Sequence, residues 1–181
     1  MRHPISRRLV SMLIASAGCF ASTGLAFTLM PQLAVAQAGA WSLDTAQGCK
    51  VWNPHPQPNE TVRWSGACAN GFAQGRGAAQ WSRGNLPFES DEGEWREGRQ
   101  SGFGSQVWPS GRYDGEIVDG MPNGRGTLIF QGVRYEGEVR DGKPDGIGTL
   151  TNTVGSLRGF WKNGCLQDKQ KVAFGVPLSA C

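Results

Sequence analysis

A glycine recurs at Gly66, Gly93, Gly115, Gly137 and Gly159, at a first interval of 27 residues and then three of 22. Five residues after each stands another: Gly71, Gly98, Gly120, Gly142 and Gly164. Nine residues after each of the first four a Gly-x-Gly opens, at Gly75, Gly102, Gly124 and Gly146. Such a register points to a repeat architecture, in which one small unit stacks on the next. It argues against helix as the repeating element, because each interior glycine costs a helix about 1 kcal/mol relative to alanine.

Within a unit the period is two. In "RYDGEIV" (112–118), Tyr113, Gly115 and Ile117 point one way and Asp114 and Glu116 the other, which is the pattern of a strand. "DGMPNGRG" (119–126) is dense in turn residues. "GTLIF" (126–130) reads as the returning strand, with Leu128 and Phe130 on one face. Each unit is therefore predicted to be a β-hairpin and the chain all-β, with strand glycines giving floor space to neighbouring aromatic rings.

Aligning the units produces rows. Trp64, Asp91, Tyr113, Tyr135 and Leu157 share one position. Cys68, Trp95, Ile117, Val139 and Trp161 share a second, and Trp81, Trp108, Phe130 and Asn152 a third. These rows are expected to stack as an aromatic ladder on one face. Glu92, Glu94, Asp114, Glu116, Glu136 and Glu138, with Arg112, Arg134 and Arg140, fall on the other and read as a solvated face.

The pattern resembles the membrane occupation and recognition nexus (MORN) repeat, approximately Tyr-x-Gly-x-Trp-x-x-Gly followed by Gly-x-Gly. "DEGEWREGRQSGFG" (91–104), "YDGEIVDGMPNGRG" (113–126) and "YEGEVRDGKPDGIG" (135–148) carry the likeness, "WSGACANGFAQGRG" (64–77) carries it with Trp for Tyr and Cys for Trp, and "LRGFWKNG" (157–164) is a half unit. Asp91 and Leu157 stand where the aromatic is usual. The resemblance implies an elongated, single-layer antiparallel meander of repeated hairpins. It also implies a scaffold, dimerisation or membrane-contact role, with any catalysis placed in a separate domain, for which this chain has no room.

Residues 1–38 contain no Asp or Glu; they begin with Arg2, His3, Arg7 and Arg8, run apolar from Leu9 to Met30, and end in "AVAQA". That is the form of an export signal, cut after Ala38, although the apolar run is also long enough for an uncleaved anchor. "SRRLV" partly resembles a twin-arginine signal and "SAGC" a lipoprotein box. The chain has 18 Lys and Arg against 15 Asp and Glu; Arg2, Arg7 and Arg8 supply the whole excess, so residues 39–181 are neutral. No basic stripe for nucleic acid is present.

The expected division is a signal at 1–38, a capping strand and loop at 39–63, the array at 64–165, and a capping tail at 166–181. The array units lie near 64–88, 91–112, 113–134 and 135–156, with a half unit at 157–165. "GCKVWNP" (48–54) reads as an orphan second strand capping the array, and "KVAFGV" (171–176) as one more strand. With Cys19 removed by cleavage, Cys49, Cys68, Cys165 and Cys181 remain, an even count that reads as two disulfides. If "CKVW" runs antiparallel to "RWSGAC", Trp52 faces Ser65 and Cys49 faces Cys68. The expected bridges are then Cys49–Cys68 and Cys165–Cys181, one at each end.

His55, in "NPHPQP", is the one histidine after residue 38 and is expected to be solvated. No Gly-x-Ser-x-Gly elbow or phosphate loop occurs. The expectation is a non-catalytic interaction module of the cell envelope, without metal or cofactor. It would bind a protein or peptide through Trp81, Trp95, Trp108, Tyr113, Phe130, Tyr135 and Trp161. The alternatives are a glycan or peptidoglycan binder stacking sugars on Trp81, Trp108 and Phe130, a small hydrolase built on the carboxylates, and a membrane-anchored protein.

Overall fold

The computed structural model describes residues 39–169 and 171–181; the expected signal at 1–38 lies outside the described residues. The described chain is all-β. Its strands are β1 (Ala40–Asp44), β2 (Cys49–Asn53), β3 (Glu60–Trp64), β4 (Ala67–Ala69), β5 (Phe72–Arg83), β6 (Leu86–Arg96), β7 (Arg99–Trp108), β8 (Gly111–Val118), β9 (Met121–Phe130), β10 (Val133–Arg140), β11 (Lys143–Thr151), β12 (Ser156–Lys162) and β13 (Cys165–Leu166). They form one open sheet in the order β1-β2-β5 and then sequentially to β13, with β3 and β4 both paired to β5.

The repeat period becomes a row in space. Gly77, Gly93, Gly104, Gly115, Gly126, Gly137, Gly148 and Gly159 pair successively across β5 to β12. Rings lie on this row: a Cβ at Gly126 would sit inside the Tyr113 ring, one at Gly148 inside Tyr135, and one at Gly77 inside Trp64. Each ring donates to the carbonyl three residues on. Tyr113 Oη reaches Glu116 O at 2.8 Å, Tyr135 Oη reaches Glu138 O at 2.9 Å, and Trp64 Nε1 reaches Ala67 O at 2.8 Å. In the two tyrosine units the register slips just there, between Gly115 and Ile117 and between Gly137 and Val139. A bulge strips a carbonyl of its cross-strand donor, and the phenol supplies one.

Turns are tighter than the sequence suggests. Only Asp119 and Gly120, at φ 51° and 82°, separate β8 from β9, the two-residue turn whose twist suits a hairpin. The remaining "MPNGRG" is strand, with Pro122 opposite Ile117 across the bulge. The turns also tie unit to unit: Gly98 N donates to Ala73 O, Gly120 N to Gln100 O, Gly142 N to Pro122 O and Gly164 N to Pro144 O, at 2.8–3.0 Å.

Both expected bridges form, Cys49–Cys68 and Cys165–Cys181, but the ends are built differently from the expectation. β2 is not an orphan second strand and Trp52 does not face Ser65; it faces Trp41 in the β1–β2 hairpin. β3, expected as connecting loop, takes the edge of β5 instead. Held off that edge, β2 runs past the turns, where Lys50 N donates to Gly71 O and Trp52 N to Gly98 O, both at 2.8 Å. Cys68 is brought to Cys49 through β4, which pairs with the start of β5. At the other end "KVAFGV" makes only the Cys165–Ala173 bridge rather than a strand, because it seats Phe174 on the ladder, 6.0 Å from Tyr135 and 6.4 Å from Phe130.

Candidate functional site: a groove on the ladder face

Five of the seven ladder residues, Trp81, Trp95, Tyr113, Tyr135 and Trp161, are at most 3% exposed and present no surface to a partner. Their cover comes from the chain's own ends. Trp64, Val62 and Val51 close one cluster around Trp81 and Trp95, while Phe174 and Leu166 close another around Tyr113, Tyr135 and Trp161. Trp108 and Phe130 remain part-exposed.

Between the clusters the inner row turns polar. Tyr113, Pro122 and Leu128, and again Tyr135, Pro144 and Leu150, occupy the positions held one unit earlier by Asp91, Gln100 and Gln106, and all are buried. Gln106 Nε2 donates to Gln100 Oε1 and to Gly120 O, both at 2.9 Å, and Gln100 Nε2 donates to Glu92 O at 3.0 Å. Gln100 lies on Gly93 and Gly104, where the ring lies in the other units. Trp81 Nε1 donates to Asp91 Oδ2 at 2.7 Å.

Beside this seam a groove of about 540 Å³ opens, with the β2–β3 connection (His55, Gln57) on one bank and Gly175 of the tail on the other. Phe88, Trp108, Leu128 and Met121 give it apolar walls, and Glu89 and Gln106 a polar floor. Burial, aided by Glu60 and countered by Arg83, pushes the Glu89 carboxyl up to about 7. Burial and the neighbouring Glu89, against the Trp81 hydrogen bond, push Asp91 up to about 7 as well. His55 is exposed and lines this groove.

A second surface lies at the N-terminal hairpin, where no repeat signal pointed. Trp41, 43% exposed, meets Trp52 and Phe72 edge-on at 5.1 and 5.2 Å. Arg99 lies over Trp52 at 4.1 Å and Lys50 over Phe72 at 5.5 Å. Neither cation has an ion-pair partner among the described residues. Alternation in "AWSLD" was the one signal available for this strand. The outer face is charged as expected, with Arg112 paired to Asp114 and Arg134 to Glu136, interrupted by Phe103 and by the cross-strand pair Ile147 and Phe160.

Two disulfides mark a chain suited to an oxidising, extracellular environment. Among the described residues no helix is long and apolar enough to cross a membrane. The MORN repeat matches at residues 92–111, 113–132 and 135–156. The match begins one residue after Asp91, where the ring gives way to a carboxylate. No curated protein matches the chain.

Proposed function

Residues 92–156 being three consecutive MORN repeats, we propose that the protein is a non-catalytic interaction module of the cell envelope that holds an extended protein or peptide segment in the Trp108 groove. MORN repeats are generally interaction and scaffold modules, mediating protein or membrane-lipid contacts, and generally carry no catalysis. The observation that carries the reading is the groove itself. Trp108 is a ladder ring left part-exposed, in an apolar-walled cleft with a few polar groups, as binding sites are built. Segments 39–63 and 166–181 act as its banks and as caps of the array. Export through residues 1–38 supplies the oxidising compartment the bridges need.

The test compares wild type, Trp108→Ala and the outer-face variant Phe103→Ser for capture of proteins from the envelope fraction, with melting temperatures alongside. A captured protein lost with Trp108→Ala alone, while melting is held, supports the groove. Loss with Phe103→Ser alone moves the site to the outer face.

A glycan reading survives at a different place. Trp81 is buried, so the stacking platform would be the Trp41–Trp52–Phe72 corner, with Arg99 and Lys50 for a sugar carboxylate. Titrating glycan fragments against wild type and Trp41→Ala tests it, and equal responses reject it.

A further inference from the structure

The change from Tyr-Pro-Leu to Asp-Gln-Gln under the groove is concerted. Asp91 faces Gln106 across β6 and β7, Gln100 faces Trp95, and the two glutamines bond to each other. Two buried side-chain atoms here lack a partner among the described residues, Trp95 Nε1, opposite Gln100, and Asp91 Oδ1. Asp91 Oδ1 is buried, in a residue only 6% exposed, and has no hydrogen-bond partner among the described residues. A buried carboxylate oxygen without a donor is unfavourable, and in native structures it asks for an explanation.

The surroundings narrow what would complete it. Glu89, two residues along the same strand and the same face, lines the groove. No cation answers the pair: among the described residues neither Glu89 nor Asp91 is in an ion pair. Arg83 also lines the groove and acts on Glu89, but its guanidinium lies over the Phe88 ring at 4.7 Å and donates to Gln57 Oε1 at 3.2 Å rather than to Glu89. The other charged or titratable groups lining the groove are His55, Asp141 and Lys143, while Glu60 stands behind Glu89. Glu60 is itself engaged by Asn53 and by the backbone of Gln57. The groove thus presents Glu89, half-buried and in no ion pair, beside Phe88 and Trp108, with the Asp91 carboxyl buried behind it. Carboxylates bind a cation through charge-assisted hydrogen bonds, and ring faces attract the same charge.

We propose that the groove seats a basic side chain of an extended peptide, a lysine or arginine whose charged head is held by Glu89, with the buried Asp91 carboxyl behind it adding negative charge, and whose stem lies against Phe88 and Trp108. This rests on the reading of the groove as a peptide site and names the partner chemistry that fits it. An apolar peptide would leave both carboxyls unanswered, and an acidic one would add to their repulsion. The upward push that burial gives both carboxyls is what a bound cation reverses, so occupation takes up a charge the empty groove disfavours.

The probe is N-butylguanidinium, the arginine side chain without its backbone, with n-butanol and n-butanesulfonate as controls. Indole N–H resonances of the purified protein report binding: Trp108 lies in the groove, and Trp81 bonds Asp91. At pH 7.5 the guanidinium shifts both resonances saturably, and n-butanol and the sulfonate do not. Glu89→Gln weakens binding about tenfold, the loss of one charge-assisted contact, while the Trp161 resonance shows the fold intact. Lowering the pH from 7.5 to 5.5 weakens it in wild type and leaves Glu89→Gln less affected. Equal shifts with n-butanol would mean an apolar cleft, and a shift with the sulfonate would mean that Arg83, Lys143 and His55 set the charge; either overturns the proposal. No response to any probe overturns it too, while protein capture lost through Trp108→Ala would still stand for the groove.

Discussion

Tyr113 and Tyr135 each carry two duties, covering the glycine row and supplying the hydrogen bond that a bulge removes. These duties separate by substitution. Tyr113→Phe keeps the ring and leaves Glu116 O without its donor, so denaturant melts should show a loss of about 1–2 kcal/mol. Gly126→Ala keeps the hydroxyl but puts a Cβ inside the ring, displacing it, and should lose more, roughly 2–4 kcal/mol. Gly132→Ala, with open space around it but a φ of 80°, should lose only about 1 kcal/mol, the strain of a left-handed turn residue. If Gly126→Ala proves as mild as Gly132→Ala, the ring does not rest on the glycine. Asp91 predicts a pH effect. Its folded value is about 7 against an ordinary 3.8, so between roughly pH 4 and 7 the folded state holds a proton that the unfolded state has lost. Its contribution is present on the acid side and is lost as pH rises through 7. Asp91→Asn should therefore be more stable than wild type at pH 8 and show a flatter stability profile between pH 4 and 8, Glu89 keeping the remaining slope. A wild-type profile that rises from pH 5 to 8 would contradict this assignment.

At the scale of elements, the hairpins of the array were legible because period and alternation coincide: Tyr-x-Gly at 113 and 135 announces one strand and Gly-Thr-Leu at 126 and 148 the next. The cysteine pairing was legible too, although the strand neighbours that produce it were not. Cys49 and Cys68 meet because β4 delivers Cys68 beside the start of β5, not because β2 lies along "RWSGAC". What the sequence hid are elements outside the period. Strands β1 and β3 repeat nothing, and the tail spends its apolar residues on covering rings. The groove was invisible for the same reason. Trp108 and Phe130 look no different in the rows from Trp81 or Tyr135, and exposure is decided by where the two end segments stop. The tail gives a direct test. Cys165 and Cys181 close a loop of sequence separation 16, for which lost unfolded-chain entropy gives about 3 kcal/mol. Replacing both by serine should release Phe174 from Tyr135 and Phe130. Amide exchange should then quicken in β10 to β13 while β3 to β6 keep their protection. Uniform quickening across all strands would mean that the tail is no local cap.

Along the whole described chain, residues 39–169 and 171–181, the sheet is continuous in hydrogen bonds but not in its core. One apolar cluster ends at Trp95 and the next begins at Tyr113, with Asp91, Gln100 and Gln106 between them. In a repeat array each unit's stability is its own plus that of its interfaces with its neighbours, so a polar seam should be where cooperativity is weakest. Native-state exchange should resolve two units, β2 to β6 and β8 to β13, opening at different denaturant concentrations. Asp91→Tyr with Gln100→Pro and Gln106→Leu restores the Tyr-Pro-Leu set of the next two units and should join the clusters. A ring at position 91 would take the space on Gly93 and Gly104 that Gln100 vacates. This variant should unfold in one transition with a steeper denaturant dependence, and it should bind N-butylguanidinium more weakly, having lost the carboxyl behind Glu89. A wild type whose two halves already open together would show that strand pairing alone carries the coupling. A joined core that binds the cation as tightly as wild type would place the charge recognition on Glu89 alone. Greater stability together with weakened binding would identify the seam as a place where the array gives up core for recognition, the kind of local rule-breaking that functional sites show.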